Sequence, residues 1–162
     1  MTMLLGINMK KTETILITKF EIIKNEIENK VEMIKRQLNI LIQLATIDGS
    51  LASKERKLIE HFAKVNNFKE DQIKELLNKP EPITDLQHLS EDERFEYLYM
   101  VIQLMKVDGQ VFKSEIVFCE GIAKKLGYKS KIVAELSKNI YSDPSITSDR
   151  EMLKEKAAKF RI

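Results

Sequence analysis

The sequence predicts an all-α protein: a helical bundle of two pseudo-two-fold related repeats, about seven or eight helices in total. Three observations lead there. Leu38 through Leu77 aligns without a gap onto Leu98 through Ser137, an offset of 60 residues, with Leu38/Leu98, Ile42/Ile102, Leu44/Leu104, Asp48/Asp108, Gly49/Gly109, Glu55/Glu115, Ala63/Ala123 and Leu76/Leu136 among the identities. A self-match of that length marks two copies of one unit. Apolar residues recur in steps of four and three, the period of one helix face. Finally, only 5 Gly and 3 Pro occur, and no stretch alternates apolar and polar residues between turn dipeptides as strands do.

Taken in order, residues 1–11 are expected to be a disordered lead-in. From Thr12 to Ile47 there is no Gly or Pro, and Leu16, Phe20, Ile23, Ile27, Val31, Ile34, Leu38, Leu41 and Ala45 form one apolar stripe. It is either one long helix or two helices parted at Asn29-Lys30, since Asn is a poor interior helix former. The first repeat spans about 31–78, the second about 90–141. Each ends its first helix at Asp-Gly, where Gly49 or Gly109 can take the left-handed conformation that closes a helix. The second helices carry Leu58, Ile59, Phe62 and Ala63, and Phe118, Cys119, Ile122 and Ala123, on one face. Third helices follow around Glu70–Asn78 and Lys131–Tyr141. Equivalent residues should be buried alike: Leu44 with Leu104, Phe62 with Ile122, Leu76 with Leu136. Residues 79–89 hold Pro80 and Pro82 and read as the linker. Ser90 with Glu93 is a capping box, and Ser148 with Glu151 repeats it ahead of a C-terminal helix over 149–160.

Length and charge exclude several function classes. A chain of 162 residues suffices for one domain, here 12–162, burying roughly 70% of its unfolded surface. The net charge is +2 with acids and bases interleaved, so the basic face of a nucleic-acid binder is lacking. No apolar run reaches the roughly 18 residues of a membrane span, and Lys10-Lys11 follow the short N-terminal apolar stretch instead of preceding it, the reverse of a signal peptide. A cytoplasmic location is expected. Cys119 aligns with Ile59 and reads as a buried small hydrophobe. His61 and His88 lack the partners of a zinc site. No nucleophile triad, phosphate loop or dinucleotide fingerprint occurs, so no enzyme activity and no organic cofactor are expected.

The chemistry concentrates in two loops, Asp48-Gly49-Ser50-Leu51-Ala52-Ser53-Lys54-Glu55 and Asp108-Gly109-Gln110-Val111-Phe112-Lys113-Ser114-Glu115. They match positions 5, 6, 8 and 12 of a calcium-binding EF-hand loop. Positions 1 and 3 hold Leu44 and Thr46, or Leu104 and Lys106, so half the side-chain ligands are missing. These are not EF-hands. Two readings stand. In the first, Asp forms an Asx-turn, Gly supplies positive φ, Leu51 or Val111 plugs the core and Glu occupies a helix first turn. In the second, Asp48, Glu55, Asp108 and Glu115 hold a divalent cation, calcium or magnesium, because a carboxylate leaning toward the apolar side must find amides or a metal.

The duplicated apolar helix, the Asp-Gly-x-apolar-x-x-x-Glu loop and the following amphipathic helix resemble the TerB-like group of bacterial tellurite-resistance proteins, over about Val31 to Tyr141. The resemblance implies a compact bundle with internal pseudo-two-fold symmetry and a non-enzymatic role in bacterial stress response. It further implies a divalent-cation site at Asp48, Glu55, Asp108 and Glu115, and protein partners in membrane-associated complexes. The alternative is an interaction module without metal, its loop acids serving as helix caps.

Overall fold

The computed structural model describes every residue except Met1, Asp48, Ser50 and Asp85, with residues 2–7 described in backbone only. Among the described residues the chain is helical, with seven α-helices and no strand beyond an isolated bridge between Tyr128 and Arg161. The helices are α1 (Thr2–Thr46), α2 (Ser53–Val65), α3 (Glu70–Asn78), α4 (Glu91–Lys106), α5 (Lys113–Lys125), α6 (Ile132–Ser137) and α7 (Arg150–Ala158). The chain divides into two compact units, 1–36 and 37–162.

The described residues of the first unit, 2–36, are helical. α1 begins at Thr2, so residues 2–11 of the expected disordered lead-in are helical, and Asn29-Lys30 does not part the stripe. Threonine, a weak helix former, is accommodated because Thr12, Thr14 and Thr18 each turn their hydroxyl back onto the carbonyl four residues earlier, at 2.8, 2.9 and 2.9 Å. Every described side chain from Asn8 to Glu32 is exposed, apolar ones included.

The second unit holds the core. Leu38, Leu41, Leu98, Ile102, Leu104, Leu126, Ile132, Leu136 and Leu153 have essentially no exposed surface. α4 packs on α5 and α6, α5 on α6, and α6 on α7. α4 is apolar nearly all round, with Phe95, Tyr97, Leu98, Tyr99, Val101 and Ile102 all buried, as a central helix must be. Positions 60 apart behave alike at several places. α2 and α5 share bounds at that offset, as do the ends of α1 and α4. Leu44 and Leu104 are both buried, as are Leu76 and Leu136. Phe62 and Ile122 are not alike, since Phe62 is half-buried and Ile122 buried.

The linker is held by side chains that local pattern does not reveal. Buried Asn39 donates to the Glu81 carbonyl (2.9 Å) and accepts from the Glu81 amide (3.0 Å), while Gln43 donates to the same carbonyl (2.7 Å). Further on, Leu86 and Leu89 are buried and the Leu86 amide donates to Lys125 O (3.1 Å). Ser90 and Glu93 form the expected reciprocal box, at 3.3 and 2.7 Å. The second expected box is displaced by one residue. Asp149 caps α7 by accepting from the Met152 amide (3.0 Å), and Ser148 is buried instead. α6 stops at Ser137, short of the expected Tyr141, because the Lys106 ammonium contacts the carbonyls of Ser137 and Ile140 and closes that end.

Candidate functional site

Each loop leaves a long helix through the same backbone path. After α1, Ile47 N donates to Leu44 O (3.2 Å) and Gly49 N to Thr46 O (3.0 Å); after α4, Val107 N donates to Leu104 O (3.2 Å) and Gly109 N to Lys106 O (3.1 Å). Gly49 and Gly109 have φ of 84° and 83°. Positive φ is strained for any residue with a Cβ, which is why glycine closes both helices.

The glutamates are next. Glu55 and Glu115 stand in the first turn of α2 and α5, and both are buried. A buried carboxylate without donors would cost several kcal/mol. The Glu55 Oε2 accepts from the Ala52 amide (2.9 Å), and the Glu115 Oε2 from the Phe112 amide (2.7 Å). Each carboxylate therefore reaches back three residues to satisfy an amide ahead of its helix, half of a capping box made without a capping hydroxyl. The negative charge also sits where the helix dipole favours it.

The aspartates complete the comparison only in part. Asp48 lies outside the described residues. Half-buried Asp108 accepts from the Gln110 amide (2.8 Å), an Asx-turn. Val111 is 46% exposed and does not plug the core; buried Val107, inside the turn, takes that place. The Lys106 ammonium, at the end of α4, lies on the carbonyls of Ser137 and Ile140, and burial lowers its pKa from the ordinary lysine value.

Among the described residues, no three His, Cys, Asp or Glu side chains cluster as a metal site would require. Cys119 is buried, its thiol contacts Val101 O at 3.8 Å, and desolvation with the nearby Glu115 and Glu120 charges pushes its pKa far up, the opposite of a nucleophile. A cleft of about 440 Å³ went unnoticed at the level of sequence. It is lined by Leu58, Val107 and Pro144 with Lys54, Lys57, His61 and Asp143. Asp143 is committed to its own turn: the Ser145 amide (2.9 Å) and hydroxyl (2.8 Å) hold its carboxyl below the usual range, with Lys54 adding to the effect. No described helix is long and apolar enough to cross a membrane.

Comparison with family models, curated proteins and solved structures finds no match to this chain.

Proposed function

We propose that residues 37–162 form a non-enzymatic, TerB-like interaction module of two pseudo-symmetric repeats, whose loop acids are structural corners. One observation carries this reading. The glutamate of each repeat, at positions 60 apart, spends a carboxylate oxygen on the backbone amide three residues before it. Asp108 spends its Oδ1 on the amide of Gln110, two residues after it. Turn chemistry accounts for those three acids with no ligand. The matched bounds of α2 and α5 and the matched glycine φ values support the two-repeat description.

The competing reading, a weak divalent-cation site at Asp48, Glu55, Asp108 and Glu115, makes a different prediction. Two carboxylates per loop fall short of the six to eight oxygens calcium takes, so backbone carbonyls and water would complete the shell. For a Kd near ~1 mM, ~10 mM calcium would stabilise the fold by about 1.4 kcal/mol, and neutralising both loops, Asp48→Asn with Glu55→Gln and Asp108→Asn with Glu115→Gln, would abolish the gain. The capping reading expects calcium, magnesium and manganese to leave the melting temperature unmoved. It also expects Glu115→Gln, which keeps an acceptor oxygen, to be mild and Glu115→Ala to cost about 1–2 kcal/mol. Thermal melts of wild type and these variants, with and without each cation, decide between the two.

A further inference from the structure

Between Asn8 and Glu32 every side chain of α1 is exposed, yet its apolar residues are not scattered. Met9, Leu16, Phe20, Ile23 and Ile27 are 54–70% exposed and lie on one helix face. The spacing from Leu16 to Ile27 is four, three, four, which is heptad spacing: Leu16 and Ile23 at d, Phe20 and Ile27 at a. Extending the frame outward sets Met9 at d, Glu13 at a and Lys30 at d, with Lys19 and Glu26 at g and Lys24 at e.

We propose that two copies of this chain pair antiparallel through residues 12–31 of α1, with the two-fold axis between Glu21 and Ile22. In an antiparallel pair, a positions face d positions of the other chain. This register seats Phe20 against the partner's Ile23 and Leu16 against the partner's Ile27, each contact made twice. It also seats Glu13 against the partner's Lys30, and Lys19 against the partner's Glu26, again twice each. The charges within and beside the stripe are thus matched by the same register that aligns the apolar layers.

A parallel, in-register pair would do the reverse. Glu13 would face its own copy, Lys30 would face its own copy, and Lys19 at g would face the partner's Lys24 at e on both sides. Four opposite-sign contacts in one orientation stand against four like-sign contacts in the other, so the sequence selects the antiparallel one. Area permits it. The four seated side chains, at on the order of 100 Å² of exposed surface each, give a pair about 800 Å², and flanking Ile17 and Val31, 60% and 48% exposed, bring it to the roughly 1,000 Å² of a specific interface. An anionic membrane surface is a weaker occupant, since residues 8–35 carry six Lys and five Glu and so offer little net attraction. The surface in question is distinct from the Asp-Gly loops, so the cation and capping tests leave it untouched.

Sedimentation velocity on the full chain tests this between ~1 and ~100 μM, the range in which a modest coiled-coil pair dissociates. A reversible monomer–dimer equilibrium is expected. Phe20→Glu with Ile23→Glu should be monomeric throughout while keeping the helical circular dichroism of wild type, because both residues are exposed in the single chain. Lys19→Glu should raise the dimer Kd roughly threefold to tenfold by setting like charges at Glu26, and adding Glu26→Lys should restore it. A parallel dimer would instead be tightened by Lys19→Glu, since the new carboxylate would meet Lys24; that result overturns the proposal. So does a wild-type chain that stays monomeric at ~100 μM, whether or not it binds phosphatidylglycerol vesicles, and so does an oligomer indifferent to Phe20→Glu with Ile23→Glu.

Discussion

Within α1 the apolar positions from Leu16 to Val31 are 48–70% exposed, whereas the same spacing from Ile34 to Ala45 is 0–7% exposed. Periodicity and helix type are shared between the two stretches, but residues 8–32 carry five Lys and five Glu whereas residues 37–46 carry no charged residue. The period of a stripe therefore identifies a helix and one of its faces, but carries no information on what covers that face. In residues 37–46 the cover is the core. In residues 8–32 the stripe is exposed, and the charges flanking it are what speaks to its partner.

Substitution in the buried stretch should produce the largest effect. Leu38 has no exposed surface, so Leu38→Ala removes the burial of a whole isobutyl group and leaves a cavity in a core that relaxes only partly. A loss of about 3–5 kcal/mol in urea-unfolding stability is expected. The next largest belongs to Asn39, one residue on and equally buried. Asn39→Ala deprives the Glu81 amide of its acceptor and removes one of two donors to the Glu81 carbonyl, the other being Gln43. The expected cost is about 1–3 kcal/mol, with Asn39→Asp no better because a carboxylate cannot donate. Hydrogen exchange at the Glu81 amide should quicken with Asn39→Ala; unchanged protection would show that the linker is held elsewhere.

Asn39 also marks the boundary of what the sequence made legible. Readings that depend on neighbours in the chain succeeded: the Asx-turn at Asp108, positive φ at Gly49 and Gly109, the Ser90–Glu93 box and the inward lean of Glu55 and Glu115 all follow from residues within a turn or two. Readings that depend on distant partners did not. Asn39 meets Glu81 across 42 residues and Lys106 meets Ser137 and Ile140 across 31 and 34, and no local spacing encodes either contact. Two local misreadings have local causes. Ser148 and Asp149 are both competent caps, and burial of Ser148 leaves the role to Asp149. Residues 1–11 read as a lead-in, yet they contain no proline and continue the period of the stripe into Met9.

The smallest effect sharpens the contrast most. Phe20 is 70% exposed in the single chain, so Phe20→Ala removes no buried contact there, and alanine's better helix propensity adds a few tenths of a kcal/mol in its favour. In dilute solution the variant should melt within about 1 °C of wild type, against a drop of many degrees for Leu38→Ala. Concentration should separate them. If α1 pairs with a second copy, association stabilises the folded state by mass action, and the wild-type melting temperature should climb as protein concentration rises. Phe20→Ala, having lost its layer against the partner's Ile23, should flatten that climb while leaving the dilute value in place. Leu38→Ala should do the opposite: lower the curve at every concentration and keep its slope. Two large-to-alanine substitutions on the same helix, 18 residues apart, would then report separately on the stretch buried in the core and the stretch a second copy covers.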